Sequence, residues 1–215
     1  MNFTVIILVV IIVILVYYLY RVSTKAVDVS SKLYYLNTTA TISSDTLTNP
    51  KSARFSYATW VFVNTWGIPT SSNTLYTVNG SSGNIIRLGL ASQTPELTTS
   101  VYNDNILITK NFPIQKWVYV VISVDSMTVD CYLDGKLVAS RKLTAVQTIP
   151  NTYTITIGPA PLDTYITGFK YYDTPLNPQQ VWSNYMAGNG YNGGEYTVDL
   201  AIKKDNTVLK SFSSA

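Results

Sequence analysis

The sequence predicts an all-β fold, an antiparallel β-sandwich or jelly roll with one short helix toward its C-terminal side, preceded by a single transmembrane helix. Two observations predict the sandwich. Short segments rich in β-branched and aromatic residues recur at a spacing of about 8–12 residues, and helical periodicity is almost absent. An uncharged N-terminal run predicts the membrane helix. The 215-residue chain leaves roughly 190 residues after this run, which suits one domain.

The N-terminal run, Phe3–Tyr20, contains eighteen residues and no charge. At about 1.5 Å per residue it spans about 27 Å as a helix, close to the thickness of a bilayer core. A cleaved signal peptide would need a positive n-region and a small-residue cleavage site, and a buried core helix would normally have a polar face. The sequence therefore predicts a retained anchor over residues 1–21, with residues 3–20 in contact with the lipid bilayer.

The flanks of this anchor predict its orientation. Tyrosine favours the membrane interface, and Lys and Arg favour the cytosolic side. The flanking residues concerned are Tyr17, Tyr18, Tyr20, Arg21 and Lys25. We therefore expect a single-pass protein whose large domain lies on the cytosolic side. Cys131 is the only cysteine, so the chain has no intramolecular disulfide, as is usual in a reducing compartment.

Residues 22–53 are rich in Ser, Thr and Asn and are interpreted as a stalk with one possible strand at Leu33–Leu36. From Arg54 onward, period-2 patterns dominate. Arg54–Asn64 is apolar on both faces, as expected of a central strand covered on two sides. Asp134-Gly135 predicts a tight hairpin turn with positive φ angles. The further predicted strands are 75–78, 85–90, 97–102, 106–110, 117–124, 128–133, 136–141, 153–157 and 165–172.

One helix is predicted, in the segment "NPQQVWSNYMAGNG". Asn177 is a suitable N-cap, Pro178 suits the first helical position, and Gly188 ends the helix. The apolar residues at helical spacing are Val181, Trp182 and Tyr185. Residues 191–215 follow as a predicted C-terminal β-hairpin extension, with its turn at Lys204-Asp205-Asn206.

Four segments, in this order, resemble the laminin-G-like, concanavalin A-like jelly roll: "FSYATWVFV", "KWVYVVISVDSMTVDCYLDGKLVAS", "YTITIG" and "TGFKYYDTPLNPQQVWSNY". The second segment is the most specific, since a Trp opens one strand and the next strand ends in Tyr-x-Asp-Gly. The resemblance covers about Phe55 to Tyr185. It implies that residues 54–190 form a laminin-G-like β-sandwich.

The composition indicates a non-catalytic protein without a cofactor. The chain has no histidine, which removes the commonest general base and the commonest transition-metal ligand. Glycosidases of the same fold use paired carboxylates in a Glu-x-Asp-x-x-Glu pattern, which is absent here. The only glutamates, Glu96 and Glu195, lie far apart in sequence. A net charge of +3 without a basic cluster excludes a nucleic-acid footprint.

Two kinds of binding site are considered. Asp104 and Asn105 are weak calcium candidates, because their oxygens suit that ion, although turn formation explains them equally well. Aromatic and amide side chains serve both sugars and protein partners. The contact candidates are Trp66, Tyr171, Tyr172, Tyr191 and Asn192. Trp60 and Trp182 are interpreted instead as core anchors.

The sequence therefore indicates a tethered structural or interaction module. Its layout is similar to that of the membrane-anchored minor capsid proteins of large icosahedral DNA viruses. The leading hypothesis is a minor capsid protein that links an internal membrane to the capsid shell of the virion, with other capsid proteins as partners. The alternatives are a cell-surface carbohydrate-binding, lectin-like module of opposite topology, and an unusual glycosidase that depends on Glu96 or Glu195.

Overall fold

A computed structural model describes residues 3–23, 27–46, 52–66, 73–81, 83–146, 152–160, 162–189, 199–204 and 207–213. The first element is helix α1, Phe3–Ser23, whose described apolar side chains are 44% to 64% exposed. Over the described residues, no helix is both long enough and apolar enough to cross a membrane. The predicted transmembrane segment is thus a helix that the structure does not confirm as membrane-spanning.

The rest of the described chain is an antiparallel sandwich, as the sequence predicts. One sheet has the order β1-β13-β4-β9-β10-β11, with β2 also paired to β13. Its strands are β1 (Val27–Ser30), β2 (Tyr34–Tyr35), β4 (Arg54–Thr65), β9 (Trp117–Asp125), β10 (Thr128–Leu133), β11 (Lys136–Lys142) and β13 (Asp163–Tyr172). The longest described strands of this sheet, β4 with 12 residues and β13 with 10, are neighbours and pair with each other.

The second sheet has the order β3-β12-β5-β6-β7-β8. Its strands are β3 (Ala40–Ser43), β5 (Asn73–Gly80), β6 (Gly83–Leu90), β7 (Leu97–Val101), β8 (Asp104–Thr109) and β12 (Tyr153–Ile157). A separate antiparallel pair, β14 (Asp199–Lys204) and β15 (Thr207–Ser213), follows in the C-terminal segment. Each of the strands expected from Arg54 onward is therefore present, with ends displaced by a few residues.

The main core lies between the two sheets. Alternate residues of β4 and β9 contribute one half of it, and the second sheet contributes the other. Its fully buried members include Phe55, Tyr57, Val120, Ile122, Ile86, Leu88 and Ile155. The period-2 pattern of β9 is thus explained by burial on this side.

A second core lies on the opposite face of the first sheet, beneath helix α2, Pro178–Met186. It contains Ala58, Trp60, Tyr119, Val121, Tyr132, Tyr172, Leu176 and Val181. This helix explains why β4 is apolar on both faces: its odd positions face the sandwich and its even positions face α2. Trp60, 8% exposed, is a core residue as the sequence predicts.

The capping of α2 also follows the sequence. Gln180 N–H donates to the Asn177 side chain at 2.9 Å, and Asn177 N–H donates to the Gln180 side chain at 2.9 Å. This reciprocal pair is a capping box. Ala187 is the C-cap, and Gly188 adopts φ +79° directly after it. The helix is joined to the sheet by a buried network in which Leu176 N–H donates to the hydroxyls of Ser56 and Ser123, both at 3.0 Å.

The stalk predicted over residues 22–53 requires correction. β1 pairs with β13, and β3 pairs with β12, so both strands belong to the sandwich. Leu36 is completely buried in the main core, and its N–H donates to the Thr164 carbonyl at 3.0 Å. The domain therefore begins well before residue 54, because these short strands are stabilised by pairing with partners more than a hundred residues away in sequence.

Candidate functional site

The site is built on the outer face of the first sheet, where α2 meets the β10–β11 hairpin. Trp60 from β4 and Tyr119 from β9 have ring centroids 5.0 Å apart. Tyr185 of α2 stacks on Trp60 at 5.7 Å and an interplanar angle of 22°. Three elements of the fold thus supply one layer of aromatic rings beneath the helix.

The β10–β11 turn is fixed to this layer through the backbone of Tyr119. Asp134 and Gly135 adopt φ angles of +47° and +81°, the positive values that the Asp-Gly sequence predicts. Asp134 N–H donates to the Tyr119 carbonyl, and Tyr119 N–H donates to Asp134 Oδ1, both at 2.9 Å. The position of the Asp134 carboxylate is therefore set by the sheet and not by the hairpin alone.

The other oxygen of this carboxylate forms an ion pair. Lys116 Nζ lies 2.8 Å from Asp134 Oδ2. Hydrogen bonding to Asp134 raises the pKa of the Lys116 ammonium above its ordinary value. The Asp134 side chain is 22% exposed and that of Lys116 is 54% exposed, so both groups remain open to a ligand.

Trp182 of α2 completes the arrangement. Its side chain lies against the turn so closely that a Cβ at position 135 would be 2.6 Å from Trp182 Cε3. Its ring also contacts Tyr185, with centroids 5.6 Å apart. Trp182 is nevertheless 46% exposed, so the interpretation of this residue as a core anchor is wrong.

These residues enclose a groove of about 400 Å³. Its described lining comprises Pro113, Lys116, Val118, Leu133, Asp134, Lys136, Trp182 and Tyr185. The groove combines an exposed aromatic surface, a fixed carboxylate and two ammonium groups. This combination suits a ligand that has both an apolar face and several hydrogen-bonding groups.

The sequence did not identify this groove. Trp182, Val181 and Tyr185 share one face by helical spacing, which predicts burial of all three. The structure buries Val181 completely, whereas Trp182 extends to the rim above the hairpin turn. The Asp-Gly turn is visible in the sequence, but its contact with α2 is not.

Several predicted contact residues lie elsewhere. Tyr171 is completely buried in the main core and Tyr172 is 5% exposed in the second core, so their expected surface role is corrected by burial. Trp66 follows β4 and packs partly against the main core. Its Nε1 is buried, with no partner among the described residues. Tyr191 and Asn192 lie outside the described residues.

The calcium candidates lie in the β7–β8 hairpin. The Asp104 carboxylate accepts two hydrogen bonds from Thr144, one from its backbone N–H at 2.9 Å and one from the Thr144 hydroxyl at 3.0 Å. Asn105 pairs with Ser100 across the ladder. The described residues contain no group of three or more His, Cys, Asp or Glu side chains that could hold a metal ion. Asp104 therefore has a structural role in joining two loops.

The membrane-flank prediction concerns the end of α1. Tyr17 is 64% exposed. Tyr18, Tyr20 and Arg21 lie on the same helix, and Lys25 falls outside the described residues.

Comparison with known proteins identifies the fold. The profile of the Laminin_G_3 family, of the concanavalin A-like lectin/glucanases superfamily, matches residues 36–182. This is more than half of the chain, so the protein belongs to this family. The match begins at Leu36, the buried residue of the segment first interpreted as a stalk. No curated protein sequence matches the chain.

Solved structures are similar in fold. The binding domain of botulinum neurotoxin serotype G has a TM-score of 0.59 and 17% identity, over 79% of this chain and 47% of that one. The serotype D ligand-binding domain, in complex with N-acetylneuraminic acid, has a TM-score of 0.57 and 14% identity, over 77% and 44%. Trypanosoma rangeli sialidase has a TM-score of 0.56 and 15% identity, over 78% and 29%. The chain thus spans less than half the length of each.

Proposed function

We propose that the protein is a tethered, non-catalytic carbohydrate-binding module, and that the groove beside Trp182 is its binding site. The single observation that carries this proposal is the exposed indole, held against Gly135 and placed beside the Lys116–Asp134 ion pair. Its membership of a lectin/glucanase superfamily and its resemblance to a domain solved with a bound sugar support the same class of ligand.

The chemistry of the groove fits a sugar ring. A pyranose has an apolar face of C–H groups, which packs on the exposed part of the Trp182 ring. Its hydroxyls both donate and accept, so the Asp134 carboxylate accepts from them and Lys116 and Lys136 donate to them. Because Asp134 is already held by the Tyr119 backbone, little side-chain ordering is required on binding.

The proposal assigns no catalysis to this groove. Asp134 is the only carboxylate among its described lining residues, and it is paired with Lys116. Glycoside cleavage by the common mechanisms requires two carboxyl groups about 5–10 Å apart. Glu96, the one of the two glutamates that lies among the described residues, is in a loop, where its backbone carbonyl accepts from Ala91 N–H at 2.8 Å.

Glycan binding by the full chain in lipid nanodiscs tests the proposal. Nanodiscs are preferable to a maltoside detergent, whose sugar would compete for the groove. Trp182→Ala should weaken binding at least about tenfold, as removal of a central aromatic contact usually does. The matched control is Met186→Ala, since Met186 is 64% exposed on the same helix and does not line the groove. Absence of glycan binding, or unchanged binding by Trp182→Ala, would refute the assignment.

We also propose that α1 tethers the domain to a bilayer, with the domain on the cytosolic side. The support is the uncharged length of Phe3–Tyr20, the exposure of its described apolar side chains and the basic residues that follow it. The protein should stay with membranes after carbonate extraction. Protease should digest the domain in sealed vesicles whose cytosolic face is outward; protection of the domain would reverse the orientation.

A structural role as a minor capsid protein is the second candidate function. The observation that favours a protein partner is β11, the last strand of its sheet among the described residues, on which Leu137 is 50% and Val138 is 44% exposed. An exposed edge strand offers unpaired backbone groups to a partner, and the exposed side chains of Leu137 and Val138 add apolar contact area. Purified virus particles should contain the intact chain, with amine crosslinks from Lys142 to capsid subunits. Its presence in host membranes alone would count against this role.

A further inference from the structure

The edge of the first sheet that follows helix α1 presents a surface separate from the groove. β1 is the last strand in the order of this sheet among the described residues, and β2 also pairs with β13, next to β1. Residues 27–35, which include both strands, are called the entry edge. None of them belongs to the described lining of the groove, so a role for this edge rests on the proposed tether, α1, and not on glycan binding.

The entry edge is close in sequence to the end of α1. The helix ends at Ser23 and β1 begins at Val27, so three residues lie between them. Four Cα-to-Cα steps span at most about 14 Å, whatever the conformation of the chain. A tether formed by α1 therefore holds Val27 within that distance of the helix end, and this edge is the part of the sandwich bound most closely to the bilayer.

The entry edge exposes two apolar side chains and one ammonium group. Leu33 is 37% exposed and Tyr35 is 40% exposed. Lys32 is exposed beside them, with no salt bridge to another described residue. Leucine favours the boundary of the acyl chains, tyrosine favours the headgroup level, and lysine is attracted to the anionic lipids of the cytosolic leaflet. This combination matches a bilayer surface on the side proposed for the domain.

These side chains are held in place by contacts within the sheet. Tyr35 stacks on Tyr165 of β13, with ring centroids 4.9 Å apart and an interplanar angle of 24°. Before β2, the Ser30 hydroxyl accepts from Lys32 N–H at 3.2 Å and from the Tyr34 hydroxyl at 2.8 Å. Little further ordering is therefore required when the edge meets a membrane.

The end of the sheet near Val27 is less suited to this contact. Val27 is opposite Tyr171, which is opposite Tyr57, three residues along β4 from Arg54. Arg54 forms an exposed ion pair there, with its Nε 2.8 Å from Asp125 Oδ1. Because the two charges neutralise each other, this pair gives little net attraction to anionic lipid.

The exposed backbone of the edge sets the depth of the contact. A strand at the end of a sheet leaves backbone N–H and C=O groups unpaired. Such groups are very unfavourable in hydrocarbon, whereas water and lipid headgroups satisfy them. Two apolar side chains and one charge would hold a free domain only weakly. A short tether makes the contact intramolecular, with an effective concentration on the order of millimolar, so even a weak contact is populated.

We infer that the entry edge is a second membrane contact of this protein, in which Leu33 and Tyr35 lie at the headgroup level and Lys32 faces anionic lipid. The sandwich then lies with this edge against the bilayer. β11, at the other end of the strand order of the same sheet, faces away from the membrane.

A fluorophore attached to single introduced cysteines locates the bilayer. The full chain is placed in lipid nanodiscs that contain nitroxide-labelled headgroups as quenchers, and Cys131 stays unlabelled in the folded protein because it is buried. Asn37→Cys reports on the entry edge, Thr128→Cys on the end that bears the ion pair, and Ser140→Cys on the opposite edge. All three positions are exposed and polar. Quenching should be strong at position 37 and weak at the other two.

The charge and the apolar contact are tested separately in the Asn37→Cys background. Lys32→Glu should lower the ratio of docked to undocked domain about fivefold or more in nanodiscs that contain phosphatidylserine, and much less in phosphatidylcholine alone. Lys110→Glu is the matched control, at an exposed lysine directly after β8, and should leave the ratio unchanged. Leu33→Ser should lower the ratio in both lipids, whereas Leu137→Ser, at an exposed leucine of β11, should not.

Three results would overturn the inference. They are equal quenching at positions 37 and 140, stronger quenching at position 128 than at position 37, and a Lys32→Glu variant that behaves like Lys110→Glu in phosphatidylserine. Carbonate extraction distinguishes this failure from failure of the tether. A chain that stays with the membrane but gives one of these results has the tether without the second contact, and a chain that is extracted has neither.

Discussion

Replacement of Gly135 by alanine tests the central contact of the proposed site. Two effects act together at this position. The residue has φ +81°, which alanine adopts unfavourably, and the new Cβ would lie 2.6 Å from Trp182 Cε3. The turn or the indole must therefore move, and the fixed relation between Trp182 and Asp134 is lost.

The size of the expected loss of stability in Gly135→Ala follows from two contributions. The backbone conformation alone should lower the free energy of unfolding by about 1–2 kcal/mol. Trp182 is 46% exposed, so roughly half of its surface is buried. If that half, on the order of 100 Å², were exposed, the loss at about 25 cal/mol per Å² would be about 2.5 kcal/mol. The two contributions add to at most about 4.5 kcal/mol, and because a small shift should let the indole keep part of its contact, we expect a loss of about 2–4 kcal/mol.

Thermal unfolding of the full chain in nanodiscs measures this change. A domain of this size should lose about 2–4 °C in Tm for each kcal/mol, or roughly 5–15 °C in all. The matched control for strain is Gly188→Ala, because Gly188 has φ +79° and a Cβ there would meet nothing within 4 Å. The control for glycan binding is Gly83→Ala, where φ is +124° and the space is also open.

Gly135→Ala should therefore be less stable than Gly188→Ala and should bind glycans more weakly than Gly83→Ala. If Gly135→Ala were no less stable than Gly188→Ala and bound glycans normally, the indole could not lie against the turn. The geometry proposed for the groove would then be wrong.

Three further predictions concern parts of the fold that support this face. Asn177→Ala removes the capping box and should lower the free energy of unfolding by about 1 kcal/mol, as measured in thermal melts. The control is Gln179→Ala, in the same turn but outside the cap, which should change the free energy of unfolding by less than about half of that amount. Ser56→Ala and Ser123→Ala should each destabilise the protein only slightly, because the remaining hydroxyl still accepts from the Leu176 amide. In denaturant unfolding, the double variant should lose more free energy of unfolding than the sum of the two single losses, by about 1 kcal/mol or more. Additive losses would contradict the shared hydrogen bond. Burial raises the pKa of the Cys131 thiol to about 12, and Asp130 adds to the shift. Because the folded pKa lies above the unfolded one, the contribution of this thiol to stability is complete below about pH 8.5 and is lost as the pH rises toward 12. A thiol reagent at pH 8 should therefore label the buried Cys131 only after unfolding.

The strands of this protein were predictable because each pattern is local. β9 alternates so that Val120 and Ile122 face the main core, and that period of two is visible in the sequence. The apolar character of both faces of β4 indicated two covering layers, and α2 is the second layer. The capping residues of α2 were equally predictable from the sequence, since capping interactions span only three or four residues.

The strands that sequence reasoning missed are those whose stability comes from distant partners. β1 and β3 have four residues each, and half of the residues in each strand are polar, so each strand alone gives only a weak pattern. They form because β13 and β12 offer edges to pair with. The adjacent pair Tyr171 and Tyr172 was misplaced for a related reason: successive strand residues face opposite sides, and here both sides are buried.

The sequence by itself determined the strands from Arg54 onward, the helix α2, the family and the absence of histidine, because these depend on composition and on patterns within a few neighbouring residues. Only the tertiary structure decided which surface could bind a ligand. Trp182, Asp134 and Lys116 come from α2, a hairpin turn and the approach to β9, and Tyr119 meets Tyr185 only because α2 folds back over the sheet. Contacts of this kind depend on how the helix packs on the sheet, and local periodicity in the sequence does not predict that packing.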